Sequence, residues 1–138
     1  MISQTSRYAL HILSILAARR GEMVGAGEIA EATGAPVTSL SKILNQLRKA
    51  EVVDSQKGWR GGFALREEAL DRPIREVLVA LDGAGSVDRA DCVFGLAVCD
   101  ADHPCPLHPH WEAIRERFTL MVSETRIRDL ATEDDGRD

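Results

Sequence analysis

Apolar positions in the first half of the chain recur at helical spacing. In SRYALHILSILAARRGE, from Ser6 to Glu22, Leu10, Leu13 and Ala17 make one stripe and Ala9, Ile12 and Leu16 make its neighbour. That pattern predicts a first helix with most of its surface covered, stopped by Gly21 with Arg19 and Arg20 in its last turn. A second stretch, VGAGEIAEATGAPVTSLSKILNQLRKAEVV, carries two shorter periods separated by a break. Glu28 to Thr33 predicts a short helix ended by Gly34, and Pro36 opens the next. Val37, Leu40, Ile43, Leu44 and Leu47 then fall on one face, and Thr38, Ser39, Ser41, Lys42, Asn45, Gln46 and Lys49 on the other. Helix, tight glycine turn and helix is the helix-turn-helix pattern, although an ordinary helical hairpin with a solvated face has the same signature.

The period then changes. VVDSQKGWRGGFAL starts β-branched, passes a glycine-rich turn and ends in a second apolar run, which predicts a two-stranded hairpin. A hairpin directly after a helix-turn-helix makes a winged helix. Its tip, Lys57 to Gly62, is cationic and holds Trp59 and Arg60. An arginine on such a tip suits a narrow minor groove. The alternative is a plain hairpin with Trp59 folded onto the core. The polar face of the second helix offers short hydrogen-bonding groups near its start and cations later, a set that matches base edges and phosphates. The candidate DNA-contacting residues are therefore Thr38, Ser39, Ser41, Lys42, Gln46, Lys49, Lys57, Trp59 and Arg60.

After the wing, RPIREVLVALDG predicts a short amphipathic helix begun by Pro73 and ended by Gly83, and residues 84–107 show no periodicity. HPHWEAIRERFTLMVSETRIRDLA, residues 108–131, predicts a long last helix. Trp111, Ile114, Phe118, Met121 and Thr125 recur along it at spacings of three and four, with Val122 alongside. So long a stripe exceeds what a small winged helix covers. It predicts a dimer interface through Trp111, Ile114, Phe118, Met121 and Val122, the alternative being packing within one chain. The expected fold is thus mainly α with a small β-wing: a winged helix-turn-helix domain over 1–82, a loop over 83–107, a dimerisation helix over 108–131 and a disordered tail over 132–138.

Composition changes this picture at two points. The net charge of −5 would disfavour nucleic acid, but residues 1–66 carry nine Lys/Arg against five Asp/Glu, while residues 67–138 carry eight against seventeen. The basic half is the winged-helix half. All three cysteines, Cys92, Cys99 and Cys105, lie in one stretch, CVFGLAVCDADHPCPLH, which ends in His108. An odd count argues against a disulfide framework. With no signal-like N-terminus and no apolar run long enough to cross a bilayer, the expected compartment is the cytoplasm, where thiols stay reduced. Three cysteines and a histidine satisfy a tetrahedral zinc site as a count, but a close Cys-x-x-Cys clamp is missing. Gaps of six and five residues can also wrap a larger iron–sulfur cluster, and spacing alone leaves the two open. No nucleophile triad, phosphate loop or paired-carboxylate pattern stands out, so an enzyme is not expected. A small metal-carrying protein, an electron carrier or assembly factor, is the rival class. Residues 36–62, with their polar face and cationic wing, weigh against it.

Taken together, SRYALHIL, EIAEATGAPVTSLSKILNQLRKAEVV, GWRGGFAL and CPLHPHW with the cysteine loop between resemble the IscR/NsrR-like (Rrf) family of bacterial winged-helix iron–sulfur regulators. The resemblance runs over nearly the whole chain. It implies a homodimer with crossing long helices, one [2Fe–2S] or [4Fe–4S] cluster per subunit, and binding to a palindromic promoter site in double-stranded DNA, controlled by redox state, nitric oxide or cluster supply. It further implies that Cys92, Cys99 and Cys105 are cluster ligands and that His108 matches the histidine ligand of some members. Other members recruit a carboxylate from the first helix of the partner subunit. Here Arg7 and Tyr8 stand in that region and no Asp or Glu falls between residues 1 and 21, leaving His11 as the alternative there. The first cysteine gap is six residues, where many members have five.

Overall fold

Residues 2–88 and 102–131 are described in the computed structural model. Helix α1, Gln4–Ala18, begins two residues before the expected start, because Ser3 caps it: the Ser3 hydroxyl accepts from the Ser6 backbone N–H at 3.0 Å. Its two apolar stripes place Ala9, Ile12, Leu13 and Leu16 in the core. It ends one turn short of Gly21, with Arg19 as the C-cap. The side chain of Arg20 forks onto Glu67 at 2.6 and 3.0 Å, which holds the Glu67 carboxyl below its ordinary value and ties the end of α1 to the exit of the wing.

Helix α2, Ala26–Thr33, stops at Gly34, whose φ of 70° is left-handed and suits glycine. Helix α3, Val37–Lys49, follows after Ala35 and Pro36 and buries Leu40, Ile43, Leu44 and Leu47. Arg48 and Lys49 in its last turn complement the helix dipole. Val37 departs from the expected apolar face. It sits in the first turn, 71% exposed.

Strands β1, Val53–Gln56, and β2, Gly62–Leu65, pair antiparallel with Val53 opposite Leu65 and Gln56 opposite Gly62. Val24 adds a third rung, exchanging both backbone hydrogen bonds with Phe63 at 2.9 Å. Glycine is required at the hairpin's end for two reasons. A Cβ on Gly61 would lie 2.1 Å from the Gln56 carbonyl oxygen, and one on Gly62, at φ 150°, would lie 2.3 Å from that of Val24. The chain therefore belongs to the winged-helix class, mainly α with one small sheet among the described residues.

Helix α4, Ile74–Asp82, starts after Pro73 and ends at Gly83 as expected, burying Ile74, Val77 and Leu78. A single turn of helix, α5 at Gly85–Asp88, then falls where the sequence shows no periodicity, with Val87 buried. Four residues are too few for a period to register.

The last helix departs most from expectation. Helix α6 is His108–Glu124, about 26 Å long at 1.5 Å per residue, and does not continue to residue 131. Thr125 is extended, and Ile127–Leu130 forms a 3-10 turn that folds back on the winged helix. Residues 70–74 and 125–128 exchange backbone hydrogen bonds: Ile74 N–H to Thr125 at 2.9 Å, Ile127 N–H to Arg72 at 3.0 Å and Arg128 N–H to Leu70 at 3.0 Å. Arg128 adds a 2.7 Å ion pair with Asp71, and Ile127 is fully buried. The apolar stripe of α6 reaches only to Thr125, and Ile127, two residues on, falls off its three- and four-residue spacing, as the end of the helix requires. The segment expected as a tail, 132–138, and the loop residues 89–101 lie outside the described residues.

Truncating Ile127 to alanine removes the side chain that anchors this return. Ile127→Ala should lower unfolding stability by about 2–5 kcal/mol, the range for deleting a large buried aliphatic group. Urea denaturation at fixed protein concentration measures it, and a change under about 1 kcal/mol would show that the return does not depend on that anchor.

Candidate nucleic-acid interface and cysteine loop

The candidate DNA face is built on α3 and the wing. Burial of Leu40, Ile43, Leu44 and Leu47 turns the opposite side of α3 outward. Thr38, Ser41, Lys42 and Lys49 are exposed there, with Ser39 and Gln46 half-buried at the margins. Asn45, on the same side, accepts a 2.8 Å hydrogen bond from Arg48. Exposed hydroxyls, amides and ammonium groups on one helical face can exchange hydrogen bonds with base edges and pair with phosphates.

The wing presents its tip to solvent. Lys57, Trp59 and Arg60 are all exposed, and Trp59 is 88% so, which excludes an indole folded onto the core. The Arg60 guanidinium stacks over the Trp59 ring, 4.5 Å from its centroid. Arg60 has a left-handed φ of 66°, so the tip bends sharply between two residues whose side chains then face one another. Stacking limits the guanidinium to one side of the indole and leaves its N–H edge for an acceptor. Sequence reasoning named all nine of these positions as candidates. The structure places them on α3 and the wing, seven exposed and Ser39 and Gln46 half-buried.

Of the cysteine loop, Cys92 and Cys99 lie outside the described residues. Cys105 and His108 are brought together. The His108 backbone N–H donates to the Cys105 carbonyl at 3.0 Å, closing a turn at the start of α6, and both residues are buried. Pro104, Pro106 and Pro109 surround this turn and limit the backbone forms it can take. Glu112, one helical turn on, places a carboxylate oxygen 3.5 Å from His108 Nε2. Glu112 was not foreseen. Its signal is the spacing of four from His108, a carboxylate placed as those that orient ligating imidazoles commonly are. Among the described residues no three His, Cys, Asp or Glu side chains converge as a metal site.

Along α6, Ile114 and Met121 are 50% and 45% exposed, Trp111 is half-buried, and Phe118 packs partly on the core. Leu120, not foreseen, is exposed on the same helix. Val122 is a correction. It is fully buried within its own chain, because it faces the winged helix, and so is not available to a partner. The other four expected interface residues are not covered in this way.

A model of the Rrf2 family, described as an iron-dependent transcriptional regulator, matches residues 2–133. A protein of Aquifex aeolicus named for a helix-turn-helix transcriptional regulator is 34% identical over 132 residues, 94% of this chain and 90% of its own. The transcriptional regulator IscR of Vibrio atlanticus is 28% identical over 130 residues, 94% of this chain and 73% of its own. Among solved structures, CymR, the global cysteine regulator of B. subtilis, superimposes with a TM-score of 0.73 at 25% identity, covering 96% of this chain and 98% of that one. T. potens IscR shares the fold, with a TM-score of 0.67 over 94% of this chain and 85% of that one.

The stacked pair at the wing tip makes a direct prediction. Arg60→Ala should weaken binding to promoter DNA and lower the slope of log affinity against log salt by about one for each phosphate that Arg60 neutralises. Trp59→Phe should retain more affinity than Trp59→Ala, because a phenyl face still seats the guanidinium. Gel shifts over a salt series measure both, and equal affinity of all three variants with the parent would remove the wing from the interface.

Proposed function

The chain belongs to the Rrf2 family of iron-dependent transcriptional regulators, and from that premise we propose that it acts as a homodimer whose affinity for a palindromic promoter site is set by an iron–sulfur cluster. The observation that carries the cluster is the buried turn joining Cys105 to His108 at the first residues of α6.

The residues present fit such a group. Three thiolates and an imidazole are the donor set, and the two described, Cys105 and His108, are buried in one proline-flanked turn. Cys92, Cys99 and Cys105 would hold the cluster, with His108 as fourth ligand. When bound, it supplies a centre that reacts with oxygen or nitric oxide and depends on iron supply. What the chain itself does is hold geometry. Glu112, 3.5 Å from the His108 Nε2, would orient the ring, and the Cys105–His108 turn fixes how α6 begins. Any constraint on the cysteine loop is therefore a constraint on the start of the helix that carries Trp111, Ile114, Phe118 and Met121. In a dimer formed through that helix, its direction sets the separation of the two α3 helices and so the match to half-sites one turn of DNA apart.

Two experiments test this. Protein purified anaerobically with ample iron should show visible absorption and acid-labile sulfide. Each of Cys92→Ala, Cys99→Ala and Cys105→Ala should bleach that absorption and shift DNA affinity to that of the apo form, with His108→Ala milder. Stoichiometric zinc without sulfide would overturn the cluster, and an unchanged spectrum and decay rate in His108→Ala would remove that ligand in favour of one from the partner subunit's first helix.

The assembly is tested separately. Replacing Ile114 and Phe118 with glutamate should yield a folded monomer that loses specific DNA binding. A wild-type monomer by sedimentation at micromolar concentration would overturn the dimer.

A further inference from the structure

We propose that Val37 is a specificity-determining residue that contacts the 5-methyl group of thymine in the major groove. The inference rests on the DNA-binding reading above and adds to it an apolar contact that the polar face of α3 lacks.

Three observations converge on Val37. First, its spacing from Leu40 and Leu44 puts it in register with the buried stripe of α3, yet it is 71% exposed while those two are buried. The stripe continues past the point where the domain covers it. Second, Val37 is the first residue of α3, directly after the N-cap Pro36. The opening residues of the second helix in a helix-turn-helix are those that reach base edges. Third, its neighbours Thr38, Ser41 and Lys42 are exposed and polar, so the apolar group stands at the border of a hydrogen-bonding surface.

Chemistry then selects the target. Among the four bases only thymine presents a methyl group in the major groove. The hydroxyls of Thr38 and Ser41 both donate and accept, so they bond to several base edges and discriminate little. A valine in a helix holds one dominant rotamer, so its contact orders little that was free. Two methyl groups brought together remove about one methylene equivalent of apolar surface from water in all. That corresponds to about fourfold in affinity per half-site, or about fifteenfold for a dimer on two half-sites.

The test uses the full chain. An operator is selected from random duplexes. Symmetry-related thymines are then replaced pairwise by deoxyuridine, which removes only the methyl, and affinities are compared for the parent, Val37→Ala and Val37→Thr. One uridine pair should weaken the parent about fifteenfold. Val37→Ala should bind the thymine operator about that much more weakly and be indifferent to the same pair, while Val37→Thr, which keeps one methyl, should retain part of the sensitivity. The salt slope should not change, since no phosphate contact is altered. Thermal melts of the exposed-site variants should match the parent, which separates readout from folding. If Val37→Ala binds as the parent does, or if both respond alike to every uridine pair, the contact is overturned while DNA binding stands. If no sequence is selected at all, the DNA-binding reading falls and Val37 with it.

Discussion

The structure depends on the chain's return from α6 to the edge of α4. Without the backbone exchange between residues 70–74 and 125–128, α6 would join the winged helix only through the loop at its start and the packing of its own half-buried side. With it, the far end of α6 is pinned by hydrogen bonds, by Arg128 on Asp71 and by Ile127 in the core. Arg126 also donates to the Asp71 carbonyl. The exposed side of α6 is thus held by a fixed end and by a start closed in the Cys105–His108 turn. Backbone hydrogen bonds suit this role because they fix register as well as distance, which a surface ion pair alone does not.

The same logic applies where the loop leaves the winged helix. The Asp82 carboxylate, last residue of α4, accepts from the hydroxyls of both Ser3 and Ser6 at 2.6 Å. Ser6 is fully buried and Ser3 caps α1, so the N-terminus of the first helix and the last residue before Gly83 share one hydrogen-bonded cluster. The carboxylate accepts a hydrogen bond from each hydroxyl, and charge-assisted bonds of this kind are the stronger ones. Both ends of the loop region are therefore anchored in short-range polar geometry, at Asp82 and at the Cys105–His108 turn.

Much of this was legible in the sequence. The helix-turn-helix, the wing and the outward faces of α3 followed from periodicity and from Gly34, Gly61 and Gly62. Trp59 at the tip followed from the glycines around it. The misreadings share one cause: periodicity reports which residues are apolar, not what covers them. Val37 carries the period of α3 but lies beyond its cover. Val122 lies alongside the stripe of α6 but faces its own core, and Ile127, off that stripe, is buried beyond the Thr125 cap, whose carbonyl accepts from the Ile74 backbone N–H. The partner of Ile127 lies over fifty residues earlier, a separation no local pattern can encode. The pairing of Asp82 with Ser3 and Ser6 is hidden for the same reason.

Charge explains how one small chain holds both surfaces. The acidic excess after residue 66 includes Glu67, Asp71 and Glu76, which pair with Arg20, Arg128 and Arg72. Those pairs occupy arginines on the side of the domain where the wing exits and α4 begins. Lys42, Lys49, Lys57 and Arg60 form none of the ion pairs found among the described residues, and they lie on α3 and the wing. A polyanion approaching the winged helix therefore meets positive charge that no carboxylate pairs with among the described residues, in spite of a net charge of −5. The Coulomb field near a surface is set by charges within about a Debye length, roughly 8–10 Å at physiological salt, and not by the sum over the chain. The carboxylates of the acidic half pair with arginines elsewhere, and in doing so they leave the cations of α3 and the wing outside the ion pairs found among the described residues.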